Sequence, residues 1–491
     1  MRQAMFRTSD TVTPAWSVGQ FLIDRFRCPE DVAGFTVSGD LSADSGYFRL
    51  GSDTICYGQC SSGVPAARAT DPLHDALEYV AINGATVDLP FNPAQIVDNL
   101  RSERYQATGA GVKKLPASSM FRALYYLVRP MLPVAARKHL QRLYFRGWEK
   151  IPFPMVPVDR TVEKIFERLL CLSMKSQKID RVPFIWFWPH GAPSCTMMTH
   201  DVETSTGRDF CPQLMDLNDS FGIKSSFQIV PEKRYSVSQI VLDTIRKRGF
   251  EINVHDLNHD GRLLCSREEF LRRARRINVY GRQFGALGFR SAVMYRNIDW
   301  YDALDFSYDM SIPNMAHLDP QQGGCCTVLP FFIGNIVELP LTTTQDYSLF
   351  NILNDYSIRL WKEQIALIRQ QHGLISFIVH PDYIIDQSAR RVYAELLGYL
   401  RELRSKGGTW IALPSEIAAW WRLRSELKLV RAGGAWRIEG TGSDRARLAY
   451  AVMVNDRISY ELAPSSGADG GSCCAPWGAG KDVGGTRSVG F

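Results

Sequence analysis

A regular alternation of strand-like and helix-like segments between residues 184 and 424 constrains the fold most strongly. Short apolar runs lie at 195–203, 224–231, 250–255, 287–293, 308–313, 337–343, 374–380 and 409–413. Helical periodicity lies between several of them and is clearest in 237–248, 266–284, 356–371 and 388–405. Such alternation is typical of parallel strands joined by crossover helices. About seven or eight strands over this length favour an irregular (β/α) barrel over an open sheet.

The remaining segments differ from this region in composition. Residues 1–110 alternate short β-like runs with Gly, Ser, Asp and Pro clusters, which indicates a small irregular β-containing lobe. Residues 111–183 form a helical, basic linker region, and 425–462 contain short alternating strands typical of a small β-rich appendage. Residues 463–491 are too poor in apolar side chains to pack, so we expect a disordered tail. The expected class is α/β, with an N-terminal α+β extension and a small C-terminal β domain.

Composition argues against several functions. The 57 basic and 51 acidic residues are mixed along the chain and no basic-aromatic module is present, so we expect no nucleic-acid binding. Eleven cysteines form neither a small disulfide framework nor paired CxxC zinc spacing.

The sequence shows no apolar signal-peptide core in 1–26 and no apolar run long enough to span a bilayer, so we expect a cytoplasmic protein. Residues 117–148 are apolar, aromatic and Arg-rich, which makes them a candidate for peripheral membrane contact. Amphipathic helices packed on the main domain explain this segment better. The oligomeric state is unknown from the sequence.

Two carboxylates follow the first predicted strand. The segment 195–203 is a run of small, apolar and β-branched residues that ends on Asp201 and Glu203, which a core would not accept unpaired. Their spacing of two sends both side chains to the same side of the strand, whereas His200 points to the other side. Because ligands collect at the carboxyl ends of parallel strands, these acids form a candidate site.

Other predicted strands of this domain also end on polar residues. His255 and His259 close the third strand, and their four-residue spacing lets both imidazoles reach one metal ion at about 2.0–2.1 Å. Arg290 lies in the fourth strand, and His380 ends the strand 374–380. Taken singly, each of these residues could have a purely structural role: the histidine pair could be solvated loop residues, Arg290 could form a salt bridge, and His380 could be a hydrogen-bonded core histidine. Together, on one face of one domain, they favour a functional site.

These ordered motifs resemble those of the polysaccharide deacetylase family, the NodB-homology domains of carbohydrate esterases. The segment THDVE at 199–203 resembles the family's first motif, T-F-D-D, in a variant D-x-E form, and HDLNH at 255–259 resembles the second, H-S/T-x-x-H. Arg290 matches the arginine of the third motif and His380 the late histidine of the fifth. Asp346 is the nearest match to the aspartate of the fourth motif. The resemblance covers about residues 190–420, roughly half of the chain.

The resemblance implies a hydrolase acting on carbon–nitrogen bonds other than peptide bonds. Its expected activity is metal-dependent removal of the acetyl group from an N-acetylated sugar in a glycan or glycoconjugate. It implies a divalent ion, with Zn²⁺ expected, held by Glu203, His255 and His259. Asp256, between the histidines, could cap their loop or add a fourth ligand.

The resemblance also implies roles in proton transfer. Asp201, kept ionised by Arg290, is the expected general base, and His380, oriented by Asp346, is the expected general acid. The roles of Asp201 and Glu203 could also be exchanged.

Two alternative functions stay open. The same fold hosts hydrolases of other non-peptide C–N bonds, some of which work without metal. A degenerate domain could instead be a non-catalytic glycan-binding module of a polysaccharide assembly system, since the third motif lacks its usual proline and the fourth is weak. A binding module, however, has no need to keep the base, both histidines, the arginine and the late histidine together.

Overall fold

The computed structural model describes residues 19–106 and 142–464. The expected disordered tail and most of the candidate membrane segment 117–148 therefore lie outside the described residues. Within the described ranges, no helix is both long enough and apolar enough to cross a membrane.

Residues 19–106 form short strands and two helices that pack on the rest of the molecule. The strands are β1 (Phe35–Val37), β2 (Gly46–Arg49), β3 (Ile55–Gly58), β4 (Ala81–Asn83) and β5 (Thr86–Leu89), and the helices are α1 (Gln20–Phe26) and α2 (Pro93–Arg101). β5 lies between β1, to which it is parallel, and β4, to which it is antiparallel, while β2 and β3 form an antiparallel pair. Asn92 begins α2 by accepting hydrogen bonds from the N–H groups of Ala94 and Gln95, which satisfies two of the free donors of the first turn.

A curled, mostly parallel sheet forms the centre of the molecule. Helix α3 (Thr161–Gln177) and strand β6 (Arg181–Ile185) precede it. Its strands are β7 (Cys195–Val202), β8 (Ser226–Ile229), β9 (Glu251–His255), β10 (Gly288–Arg290), β11 (Tyr308–Asp309), β12 (Phe331–Ile333), β13 (Ile336–Glu338), β14 (Leu374–Ile378) and β15 (Trp410–Ile411). The order is β12-β13-β11-β10-β9-β8-β7-β14, β15 also pairs with β7, and only β12 is antiparallel to its neighbour.

Helices follow or precede most of these strands. They are α4 (Ser205–Ser220), α5 (Gln239–Lys247), α6 (Arg267–Phe284), α7 (Arg359–Gln370), α8 (Gln387–Ser405) and α9 (Pro414–Glu426). All eight residues of β7 are buried, as expected for a parallel strand covered on both faces. The predicted α/β class with a barrel-like, mainly parallel sheet is confirmed. The antiparallel strand β12 was not predicted, because its pairing with β13 depends on a tight turn between two short segments.

Side chains bring the two ends of the curled sheet together. After β13 the chain runs beside β14, where Thr342 Oγ1 donates to the Leu374 carbonyl at 2.7 Å and Thr343 Oγ1 donates to the Ser376 carbonyl at 2.6 Å. The Ser376 hydroxyl donates to the Pro340 carbonyl at 2.6 Å. In a regular barrel, backbone hydrogen bonds would join these two segments. Here, side-chain hydroxyl groups join them instead.

The C-terminal strands join a segment that precedes the main domain. They are β16 (Lys428–Ala432), β17 (Ala435–Glu439), β18 (Leu448–Val454) and β19 (Arg457–Leu462). β18 pairs with β19 on one side and with β6 on the other, so residues 181–185 and the predicted appendage 425–462 share a three-stranded sheet. Tyr460 packs against Phe184 with ring centroids 5.5 Å apart, which places aromatic surface across this junction.

A buried ion pair links residues 19–106 to the loop after β10. Arg296 Nε donates to Glu103 Oε2 at 2.6 Å, and both side chains are almost fully buried. The hydroxyl of Tyr105 donates to the carbonyl of Gly324 at 2.6 Å in the same region. The N-terminal lobe thus supports loops at the carboxyl end of the central sheet.

Candidate active site

Four strands deliver their terminal residues to one edge of the central sheet. Asp201 lies near the end of β7 and Glu203 immediately follows it, while His255 and Arg290 are the last residues of β9 and β10. The parallel register sets Arg290 directly beside His255. His380 follows the end of β14, which pairs with β7 up to Thr199. The structure thus brings together the strand ends singled out in the sequence.

Glu203, His255 and His259 form the group with metal-ligand spacing among the described residues, since one ligand atom of each lies within 4.8 Å of the others. Glu203 Oε1 lies 2.8 Å from His259 Nε2 and 3.7 Å from His255 Nε2. Ligand atoms of a tetrahedral zinc site are about 3.3–3.5 Å apart, so these separations bracket the required distance.

The hydrogen bonding of His255 leaves its metal-facing nitrogen available. Its Nδ1 lies 3.1 Å from the carbonyl oxygen of Arg290, which can only accept, so Nδ1 carries the proton. The Nε2 of His255 is buried and makes no hydrogen bond within the described chain, and the Nε2 of His259 is buried and faces the Glu203 carboxylate. Ligating histidines commonly use one nitrogen for a backbone carbonyl and the other for the metal. The residues present therefore fit a divalent ion.

Arg290 holds the candidate base in its ionised form. Its Nη1 donates to Asp201 Oδ1 at 2.6 Å and to the hydroxyl of Thr199 at 2.8 Å, and its Nε donates to the carbonyl of Met310 at 3.0 Å. Burial alone would raise the pKa of Asp201, but the guanidinium of Arg290, with His255 nearby, keeps it below the usual value. The other oxygen, Oδ2, lies 3.7 Å from His255 Nε2 and thus faces the candidate ligands.

Asp346 binds His380 at two points. One carboxylate oxygen lies 2.7 Å from His380 Nδ1, and the other accepts from the His380 backbone N–H at 2.7 Å. Burial alone would lower the pKa of His380, but the carboxylate of Asp346, together with Glu203, raises it well above its ordinary value. His380 Nε2 lies 3.4 Å from Glu203 Oε1, so this nitrogen faces the ligand group.

Glu203 is the centre of this arrangement. Burial would raise its pKa, but the charge of His259 and the imidazoles of His255 and His380 hold it well below its usual value. Its side chain is 19% exposed, compared with 10% for His259 and 1% for His255. The site therefore opens to solvent on the side of Glu203 and His259.

Two neighbouring residues lie outside the ligand group. Asp256 Oδ1 accepts from the N–H of Leu257 at 2.5 Å, so this carboxylate caps the loop between the histidines. His200 points away from the site, where its Nδ1 lies 2.9 Å from the Val379 carbonyl and its Nε2 lies 2.9 Å from Asn218 Nδ2. His200 therefore connects the backbones of β7 and the segment after β14.

Sequence reasoning missed three residues that support the site. Thr199 accepts a hydrogen bond from Arg290 and donates one to the Phe377 carbonyl at 2.6 Å. It is the first residue of the 199–203 motif, but the sequence did not indicate this role. Arg234 Nε donates to the Glu203 carbonyl at 2.8 Å, and Tyr235 donates its hydroxyl to the Val202 carbonyl at 2.6 Å. Neither residue of this loop carries a periodic or motif signal that could have identified it.

Comparisons with known proteins return distant structural matches only. No protein-family model and no curated protein matches the chain. A Mycobacterium smegmatis protein assigned as a polysaccharide deacetylase is 18% identical, with a TM-score of 0.40, and the match covers 48% of this chain and 93% of that one. The peptidoglycan deacetylase PdaC from Bacillus subtilis is 12% identical, with a TM-score of 0.31 and coverages of 47% and 93%. Puue allantoinase is 14% identical, with a TM-score of 0.37 and coverages of 48% and 92%.

The polysaccharide deacetylase resemblance predicted from the motifs recurs among these solved structures. The TM-scores are 0.40 and below, so the function of this chain has to be inferred from the geometry of its own site.

Proposed function

We propose that the protein is a metal-dependent deacetylase that hydrolyses the acetamide of an N-acetylated sugar in a glycan or glycoconjugate. One observation carries the proposal: an Arg-bound carboxylate and an Asp-bound imidazole both face the Glu203–His255–His259 group. A base, an acid and a set of metal ligands around one point are what metal-dependent amide hydrolysis uses.

Glu203, His255 and His259 would hold the ion. When bound, a divalent ion such as Zn²⁺ supplies Lewis acidity toward an acetamide carbonyl and lowers the pKa of water. The protein contributes two imidazoles and one carboxylate. The Arg290 carbonyl fixes the tautomer of His255, and the lowered pKa of Glu203 keeps its carboxylate ionised at neutral pH. Asp201 is not a member of this group, and one of its oxygens is bound to Arg290, so it would serve in proton transfer.

Asp201 would act as general base. Its Oδ1 is occupied by the guanidinium of Arg290, so Oδ2, which lies 3.7 Å from His255 Nε2, is the oxygen free to accept a proton from the attacking water. The lowered pKa of Asp201 keeps it deprotonated at neutral pH. Arg290 therefore sets both the charge and the orientation of the base.

His380 would act as general acid. Asp346 contacts Nδ1 and raises the pKa of the imidazole, so Nε2 carries a proton near neutral pH and can donate it to the leaving nitrogen of the sugar. Nε2 and Asp201 Oδ2 both border the Glu203–His255–His259 group, as a water attack followed by amine departure requires.

The test is acetate release from chitooligosaccharides, peptidoglycan fragments, and nucleotide- or lipid-linked N-acetyl sugars, measured with and without chelator. We expect release from at least one substrate, loss with chelator, and loss in Asp201→Asn while the bound metal is retained. Asp44→Asn, an exposed carboxylate in the N-terminal lobe, is the matched control. Undiminished acetate release from Asp201→Asn would contradict the assigned base, and activity in metal-free protein would favour a metal-independent C–N hydrolase.

A further inference from the structure

A short loop after β8 is fastened to the solvent-facing side of the candidate site. Tyr235 and Arg234 donate to the carbonyls of Val202 and Glu203, the residues at the end of β7. The N–H of Glu232 donates to the Leu257 carbonyl at 3.0 Å, which ties the same loop to the segment between the two histidines. The loop is therefore fixed between Glu203 and His259, where the site opens.

Arg234 is exposed and uses only its Nε within the described chain. No carboxylate among the described residues lies within ion-pair distance of its guanidinium, and the same is true of the exposed Lys233 beside it. Two acids on the same loop and on the segment after His259 already have cationic partners: Glu232 pairs with Arg276 at 2.5 Å and Asp260 pairs with Arg273 at 2.7 Å. Two positive charges thus stand unpaired next to the mouth of the site.

Once a divalent ion is bound by Glu203 and the two histidines, a further cation beside them is electrostatically unfavourable unless an anion joins it. Arg234 is nonetheless held there by a hydrogen bond to the backbone of a candidate metal ligand, which fixes the guanidinium while leaving both Nη groups without a partner in the described residues. A guanidinium presents paired N–H groups that match the two oxygens of a phosphate or a carboxylate.

We propose that Arg234, assisted by Lys233, binds an oxyanion carried by the substrate next to the N-acetyl sugar. The inference rests on the proposed function and narrows its substrate class from neutral N-acetylated glycans to N-acetyl sugars that bear a phosphate or a carboxylate. Arg234 then contacts the anionic substituent, and Glu203 and His259 face the acetamide.

Calorimetry with three probes tests the proposal: N-acetylglucosamine, N-acetylglucosamine 1-phosphate and N-acetylmuramic acid. The full-length, zinc-loaded chain carries Asp201→Asn so that binding is measured without turnover. We expect at least one charged probe to bind about tenfold more tightly than the neutral sugar, with the preference weakening as salt is added. The two charged probes distinguish a phosphate from a carboxylate.

Substitutions of Arg234 identify the group that causes the preference. Arg234→Gln should bring the affinity ratio of charged to neutral probe close to one, and Arg234→Lys should keep much of it. Lys247→Gln, which removes an exposed cation from the far end of the following helix α5, should leave the ratio unchanged.

A ratio near one for both charged probes, no measurable binding of either, or a ratio that survives Arg234→Gln would overturn the proposal. Acetate release by the unsubstituted protein is measured separately. A protein that prefers the charged probe but releases no acetate would contradict the proposed function and leave the anion site standing.

Discussion

The two halves of the candidate site differ in how completely the protein satisfies their polar groups. In the acid–base half, Asp201 is bound by Arg290, and Asp346 is bound at two points by His380. In the ligand half, the buried Nε2 of His255 makes no hydrogen bond within the described chain, and the Nε2 of His259 meets the carboxylate of Glu203, another candidate ligand.

This difference indicates which half depends on a component from outside the chain. A buried polar atom without a partner, such as His255 Nε2, costs free energy, so native proteins rarely leave one unsatisfied. A metal ion would satisfy both imidazoles and the Glu203 carboxylate at once. The acid–base half needs no such addition, because its charges are paired within the protein. Substitutions in the two halves should therefore separate metal binding from proton transfer.

The largest effect is expected from removing both histidines of the ligand half. His255→Ala combined with His259→Ala should abolish metal binding and acetate release together, because Glu203 alone cannot hold the ion. Metal content by mass spectrometry and acetate release measure the two effects. His190→Ala, which removes an exposed histidine at a distance from the site, should change neither. Full metal occupancy in the double variant would contradict the claim that the ligand half binds the metal.

Loss of the general acid should affect turnover alone. His380→Gln is expected to lower kcat by about 10²–10⁴-fold while the metal content stays unchanged, because His380 is outside the ligand group. The loss should be smaller for an aryl acetamide, whose leaving amine needs less protonation. An equal loss for both kinds of substrate would show that His380 does not protonate the leaving group.

Asp346 should set the pH at which activity falls on the alkaline side. Since Asp346 raises the pKa of His380, the protonated acid persists to higher pH in the unsubstituted protein. Asp346→Asn removes that charge, so the alkaline limb should move to lower pH, and the maximal rate should fall by about 10–100-fold. The acidic limb, which reports Asp201, should stay in place. A profile of kcat/KM against pH decides between these outcomes.

The smallest effect is expected at Thr199. Thr199→Val removes the hydroxyl that accepts from Arg290 and donates to the Phe377 carbonyl, so the free energy of unfolding should fall by about 1–3 kcal/mol. Metal content should be unchanged, and Thr199→Ser, which keeps the hydroxyl, should retain most of the stability. Denaturant unfolding of the three proteins provides the comparison. Equal stability of Thr199→Val and the unsubstituted protein would show that the hydroxyl adds nothing to the acid–base half.

The sequence predicted that Glu203, His255 and His259 lie together, because they are close to strand ends in regular spacing; their role as metal ligands stays a prediction. His255 and His259 are four residues apart, and Asp201 and Glu203 are two apart, so local geometry places each pair on one side. Asp346 was only a weak match, since its contact with His380 spans 34 residues and depends on the irregular segment after β13.

Other features depend on contacts between residues far apart in the sequence, which a local sequence pattern cannot predict. The pairing of β6 with β18 joins residues more than 250 positions apart, and the Glu103–Arg296 pair joins residues 193 apart. Arg234 lies in a loop without periodicity, and its contact with the Glu203 carbonyl follows from how that loop folds back over β7.

Stoichiometric metal reconstitution tests the central claim most directly. Acetate release is measured on chelator-treated protein as Zn²⁺ is added, in parallel with equilibrium binding. A single divalent-ion site formed by Glu203, His255 and His259 predicts that activity returns in proportion to bound metal and saturates at about one equivalent. Full activity in the metal-free protein, or activity that does not follow occupancy of this site, would contradict the account.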